Sequence, residues 1–313
     1  MKNDEILDSI EYVDAQLISK AENFSSAKKN SPWHKWGAAV ACLCLVVLGA
    51  MAIPKLTGGS PMPNSGGTDS HYAVYTDRVT LPENPEGVAL DMIGCLVYKG
   101  SVYTQGASYY GDLSSVEHLV GDYVGEAIGS LDEWSTQDEW ATEFASTYLG
   151  SVYTVKGYDE DFRLCIYVQL EDGEFLQFLD NFDGIGLNTG KDLFDDRFHI
   201  RNNIAEVNYL THYDWNYVGT NERTYKKLDS ITDAQFNEFI ELLCTSPFEK
   251  ISYAENPSFY DTEVQGHLYL ELKDGTCVEL TLIGGGYVGC AELGWFFVNM
   301  PGDIFDAVLN ACQ

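Results

Sequence analysis

The sequence predicts an α+β domain held outside a membrane by one transmembrane helix. Three observations carry that prediction. Residues 36–53 form an apolar run without charge, two alternating patterns turn on Asp-Gly, and Thr232 with Gln235 makes a helix-capping signature. Together they divide the chain into an amphipathic segment 1–35, a transmembrane helix 36–53, a linker 54–71 and a strand-rich domain 72–313, with antiparallel hairpins and a few helices.

In segment 1–35, Ile6, Ile10, Val13 and Leu17 recur at helical spacing and share one face. Asp4, Glu5, Asp8, Glu11 and Asp14 cover the other side. Acids near a helix start favour the helix by charge. A helix this short is marginal alone in water, so its apolar stripe calls for a partner. Lipid-binding helices carry basic polar faces, whereas this one is acidic. The four aliphatic residues are therefore the candidate partner-binding site for a cytoplasmic regulatory protein.

The run 36–53 reads WGAAVACLCLVVLGAMAI. At about 1.5 Å per residue it spans about 27 Å, close to the hydrocarbon core of a lipid bilayer. Lys28, Lys29 and Lys35 precede it and only Lys55 follows closely, which places the N-terminus in the cytoplasm. Trp33 and Trp36 suit the inner interface, and Pro54 ends the helix. The competing reading is a removable signal peptide cut near Ala50-Met51-Ala52. The long patterned stretch before the run argues against it. Residues 57–70, rich in Gly, Ser and Pro, read as a flexible tether.

This arrangement of an acidic amphipathic helix, a lysine cluster, KWGAAVACLCLVV and an outer domain resembles anti-sigma-factor-like single-pass membrane proteins of Gram-positive bacteria. The phrases GSVYTVKGY (residues 150–158) and HYDWNY (residues 212–217) are similar to outer domains of that kind. The resemblance implies an envelope sensor or anti-sigma-like regulator without enzymatic activity. The alternative is a membrane-anchored module that binds a cell-envelope glycan or peptide. Zinc-binding members of the group carry a His and a Cys pair before the membrane. This chain has no Cys before Cys42, so contact with a sigma factor would rest on the bare helix.

The formal net charge is −30, from 18 basic and 48 acidic residues. Five of the basic and six of the acidic residues precede residue 36, so the region after the membrane run holds a balance of −29. A surface this acidic repels phosphate backbones and excludes nucleic acid as a partner.

In the outer domain, Leu164, Ile166, Val168 and Leu170 alternate with Cys165, Tyr167 and Gln169, ahead of Asp172-Gly173. Leu268, Leu270 and Leu272 repeat the pattern ahead of Asp274-Gly275. Asp-Gly between alternating runs signals a tight hairpin, because both residues tolerate positive φ. Two explanations of the echo stand open: a duplicated α+β unit, or hairpins that look alike. GSVYT also occurs twice, at 100–104 and 150–154. Thr232 and Gln235 predict a capping box, with Ile231 and Phe236 as the staple. Phe236, Phe239, Ile240 and Leu243 form the inward face of that helix, which ends near residues 244–247. A last helix follows Asp303, with Ile304, Phe305, Val308 and Leu309 inward.

No catalytic, cofactor or metal residue emerges from the motifs. The cysteines show no C-x-x-C spacing. The six beyond the membrane run could pair as disulfides, although Cys165 and Cys277 sit where a small apolar residue belongs. Asp180-Asn181-Phe182-Asp183-Gly184 hints at a calcium loop, but its spacing puts Leu179 where the first ligand must be. Gly284-Gly285-Gly286 lacks the lysine of a phosphate loop and reads as a tight strand connection. His212 and Asp214 are the one close His/Asp pair; on a strand they would share a face, and the alternative is a pair on a surface loop. Trp134, Trp140 and Trp215, beside acids and amides, suit either sugar stacking or a core.

Overall fold

The computed structural model describes residues 72–79, 93–132, 135–170, 173–219, 222–252, 254–259, 265–290 and 293–313. The amphipathic segment 1–35, the run 36–53 and the linker 54–71 lie outside the described residues, as do Asp172 and Trp134. Among the described residues no helix is long and apolar enough to cross a membrane. Their architecture is strand-rich, with antiparallel sheets and few helices.

The first sheet follows a two-residue strand β1 (Val74–Tyr75) and contains β2 (Cys95–Tyr98), β3 (Ser101–Tyr110), β4 (Val120–Ile128), β5 (Leu149–Val155), β6 (Arg163–Leu170) and β7 (Gly173–Asn181). Its order is β2-β3-β7-β6-β5-β4. A 3-10 turn, Glu117–Leu119, precedes β4, and a one-turn helix α1 (Gln137–Trp140) precedes β5. The hairpin of β2 and β3 turns on Lys99 (φ 50°) and Gly100 (φ 74°), both positive as a two-residue hairpin loop requires. This is where the first GSVYT begins; the second lies within β5.

The two edges of this sheet are joined. The N–H of Phe144 donates to Val97 O (2.8 Å) and its carbonyl accepts from Ile128 N (3.1 Å). Val97 N and Thr147 N extend the contact to Ala145 O and Cys95 O. Segment 144–147 therefore lies between β2 and β4 and curls the sheet round its own core, removing two open edges. Leu96, Tyr103, Val152, Leu164, Ile166 and Leu179 fill the inside. Full burial of each aliphatic side chain contributes about 1.5–3 kcal/mol before entropy losses. The alternate residues Cys165, Leu176 and Phe178 pack outward under Leu113, Val116 and Leu119.

After the short strand β8 (Gly186–Leu187), which pairs with β1, a π-helical turn Lys191–Asp195 leads into the second sheet. That sheet holds β9 (Ile204–Thr211), β10 (Lys226–Lys227), β11 (Phe248–Lys250), β12 (Gln265–Leu272), β13 (Cys277–Ile283), β14 (Tyr287–Gly289) and β15 (Phe296–Asn299). Their order is β10-β9-β12-β13-β14-β15-β11. The helix α2 (His212–Tyr217) follows β9; α3 (Asp233–Thr245) and α4 (Asp303–Ala311) supply the cover of one face.

The expected turn Asp274-Gly275 is present. Gly275 takes φ 86°, its N–H donates to Leu272 O, and the Asp274 carboxylate accepts from Thr276 N at 2.9 Å. Leu268, Leu270 and Leu272 point to the helical side with Val278, Leu280 and Leu282. In α3 the Thr232 hydroxyl accepts from Gln235 N (3.3 Å) while Gln235 accepts from Thr232 N (3.1 Å), which is the expected box. Its buried residues are Phe239, Ile240, Leu243 and Cys244; Phe236 is only partly buried, stacked on Phe239. In α4, Phe305, Val308 and Leu309 are buried. The two echoing hairpins occupy different sheets with different neighbours: β7 continues to β3, and β13 to β14.

The second sheet meets the first beside a buried ion pair between β6 and β7. Arg163 donates to Asp180 through Nε (2.6 Å) and Nη2 (2.7 Å). Its guanidinium lies over Tyr158 at 4.5 Å and Phe198 at 5.3 Å. Tyr158 in turn donates to Asp274 Oδ2 at 2.7 Å, and Tyr109 to Gly275 O at 3.2 Å, so the β12–β13 turn rests on the first sheet. Cys95, Cys165, Cys244 and Cys312 are buried free thiols.

Candidate functional site

The second sheet has one face under α3 and α4. The opposite face of β12 and β13 carries His267, Tyr269 and Glu271 beside Glu279 and Thr281, because successive strand residues alternate sides. In the pairing register, His267 stands opposite Thr281 and Tyr269 opposite Glu279. The helix α2 lies over these residues.

Thr211, the last residue of β9, starts that helix by accepting from Asp214 N at 3.0 Å. Lys226 Nζ donates to Asp214 Oδ2 at 3.1 Å and holds the carboxyl below the usual carboxylate range. At the other end Arg223 donates to the carbonyls of Val218 and Trp215. The carbonyls left free at a helix end are thereby satisfied.

Trp215 is the central contact. Its indole is stacked on the His267 ring, with centroids 4.4 Å apart and planes 4° apart. Its Nε1 donates to Glu279 Oε1 (3.2 Å), which also accepts from the Tyr269 hydroxyl (3.1 Å). Tyr225 packs edge-on against Tyr269 at 4.8 Å. Arg223 lies over the indole at 5.7 Å. The His212 ring is nearly parallel to that of His267, 5.9 Å away and tilted by 12°.

His267 is 2% exposed. Its Nδ1 is 3.7 Å from Glu279 Oε1, too far for a hydrogen bond. Both its ring nitrogens, His212 Nδ1 and Arg223 Nη1 are buried without a hydrogen-bonding partner from the protein. Such groups are uncommon in folded proteins, and their concentration under one short helix marks this place. Burial, and then the neighbouring His267, hold His212 below the ordinary imidazole value. Burial and Glu279 push the Tyr269 phenol far up, and the Tyr225 phenol up to about 12.

The outward side of α2 carries Tyr213 and Tyr217, 67% and 75% exposed, with ring centroids 5.2 Å apart. Asn216 Nδ2 lies 2.8 Å from His212 Nε2 beside them. An imidazole, a carboxylate and a phenol could exchange protons with a substrate only within hydrogen-bond reach. Trp215 occupies the space over His267. The accessible part of the site is the tyrosine pair.

From the sequence, His212 and Asp214 are either strand residues sharing a face or a surface loop pair. They are instead the first and third residues of a helix, and they diverge: His212 turns to His267, Asp214 to Lys226. Trp140 is a core residue at 8% exposure, among Cys95, Val97 and Leu131. Asp180 pairs with Arg163, and Asp183 accepts from Val79 N (2.8 Å) and Val102 N (3.1 Å), so that loop is an anchor for the backbone. The three glycines 284–286 are the tight connection between β13 and β14, with Gly285 and Gly286 at φ 98° and 97°. Ile6, Ile10, Val13 and Leu17 lie outside the described residues. Sequence reasoning missed His267, Tyr269, Glu279 and Arg223. The available signal was the outward positions of the second hairpin, where His, Tyr and Glu alternate with the leucines.

No family model matches the chain, and no curated protein or solved structure matches it at a significant level.

Proposed function

We propose that this chain is a non-enzymatic single-pass membrane protein, whose acidic outer domain senses the cell envelope by binding a glycan or peptide on the tyrosine pair of α2. Residues 36–53 anchor it in the lipid bilayer, with the N-terminus in the cytoplasm and domain 72–313 outside. The stripe Ile6, Ile10, Val13 and Leu17 passes the signal to a cytoplasmic regulatory protein, as an anti-sigma-like regulator would.

One observation carries the outer half of this reading. Tyr213 and Tyr217 are exposed on a helix whose underside is pinned by Trp215 to His267 and Glu279. Aromatic rings held on a fixed base offer contact area at low entropy cost, and their faces stack on sugar rings or peptide side chains. The acid–base groups lie beneath the indole, which favours recognition over reaction. The same pair equally supports the second reading, a glycan- or peptide-binding module on an inert anchor. The two differ in the cytoplasmic stripe alone.

The test uses the full chain, purified from membranes that retain it after alkaline washing, and titrates it with cell-wall oligosaccharides and wall peptides. Saturable binding of one of them is expected, weakened at least about tenfold, or about 1.4 kcal/mol, in the variant Tyr213→Ala/Tyr217→Ala. No saturable binding by the wild type overturns the reading. Binding unchanged in the variant removes α2 from it.

A further inference from the structure

We propose that α2 is an acid-released cover: protonation of His212, whose ring faces the buried His267 ring, lifts Trp215 off the second sheet and exposes Tyr269 and Glu279. The consequence for ligand rests on reading α2 as the binding surface. The movement itself does not.

Four groups of contacts define the charge balance around His267. From α2 come the His212 ring at 5.9 Å and the Trp215 indole at 4.4 Å. From β13 comes Glu279, 3.7 Å from Nδ1, with Thr281 opposite in register. From β9 comes Leu210, its partner on the other side. From the segment before β10 come Arg223, over the indole, and Tyr225, against Tyr269. The cluster thus holds one carboxylate and one permanent cation. The Lys226–Asp214 pair on the flank of the helix is balanced within itself.

The His212 and His267 rings lie nearly parallel, 5.9 Å apart. A proton on His212 would lie against the buried His267 ring, in a cluster already holding Arg223, with its Nδ1 lacking an acceptor from the protein. The one carboxylate, Glu279, already accepts from the Trp215 indole and the Tyr269 hydroxyl. Once α2 leaves the sheet, His212 is in water and binds its proton as an ordinary imidazole does. Acid therefore favours the open form. Burial and His267 oppose protonation of His212 in the closed form, so stability of the closed form is present above the ordinary imidazole value of about 6.5 and is lost as pH falls below it.

Hydrogen exchange of the full chain in detergent micelles, corrected for the intrinsic pH dependence, tests this at about pH 7.5 and about pH 5. Protection of residues 212–218 is expected to fall at least about tenfold in acid, with α3 unchanged. In His212→Gln the pH dependence of that segment should disappear. Three outcomes would overturn the proposal: equal protection at both pH values, loss of protection in α2 and α3 together, or a pH dependence that survives in His212→Gln. The wild-type series decides the first two without any variant. Because exchange reads the helix and titration reads the ligand, failure of the cover and failure of the binding reading register separately.

Discussion

The indole of Trp215 lies 4.4 Å above the imidazole of His267, with the two planes 4° from parallel, and the same indole donates its only N–H to Glu279. This contact joins a six-residue helix to the middle of a seven-stranded sheet. Its two parts can be separated. Trp215→Phe keeps a ring over His267 and loses the bond to the carboxylate, an expected cost of about 1–2 kcal/mol. Trp215→Ala loses both and leaves His267 in contact with water, an expected cost of about 2–4 kcal/mol. Urea unfolding of both variants gives the values. Two midpoints indistinguishable from wild type would mean that α2 rests on the sheet without contributing to it.

Glu206 and Glu271 face each other across β9 and β12. Like charges directly opposite are destabilising. Burial first, then Glu206, raise the Glu271 carboxyl above its ordinary value, while Asn208 Nδ2, donating at 3.1 Å, works the other way. A carboxyl raised on folding costs stability at neutral pH and returns it as pH falls through the raised value. Glu271→Gln keeps an oxygen for Asn208 and removes the charge. We expect a higher unfolding midpoint at neutral pH, and an advantage that shrinks toward about pH 4, where the wild-type group is protonated as well. A thermal unfolding series against pH measures it, and a variant less stable than wild type at neutral pH would contradict the account.

Arg163 and Asp180 are 3% and 2% exposed, and neither has a second ion-pair partner among the described residues. Removing one partner strands a buried charge. Arg163→Met alone should cost about 3–5 kcal/mol, whereas Arg163→Met with Asp180→Ala should cost far less than the sum of the single changes. Arg163→Lys should also be poorly tolerated, because an ammonium cannot make the two parallel bonds or lie flat on Tyr158. A double-mutant cycle that closes additively would show the pair to be incidental to the junction of the sheets.

Much of the strand and helix content could be read from residues close together in the chain. The turn at Asp274-Gly275 depends on which residues accept positive φ, the box at Thr232 and Gln235 on groups one helical turn apart, and the buried side of α4 on spacing alone. All three are local physics, and all are present. The sequence of HYDWNY was legible as composition but not as a helix. Six residues give too little period, and the deciding contact comes from His267, far along the chain. The tertiary structure alone decided the rest. Segment 144–147 closes the first sheet only because β2 and β4, at its opposite edges, curl round to meet it. Glu279 gathers Trp215 and Tyr269 only because β13 and α2 lie against the same strand. Local rules set which way each side chain of β12 points. Which groups meet there depends on pairing between distant segments, and that is governed by the burial of Leu268, Leu270 and Leu280 on the opposite face, where the hydrophobic energy lies.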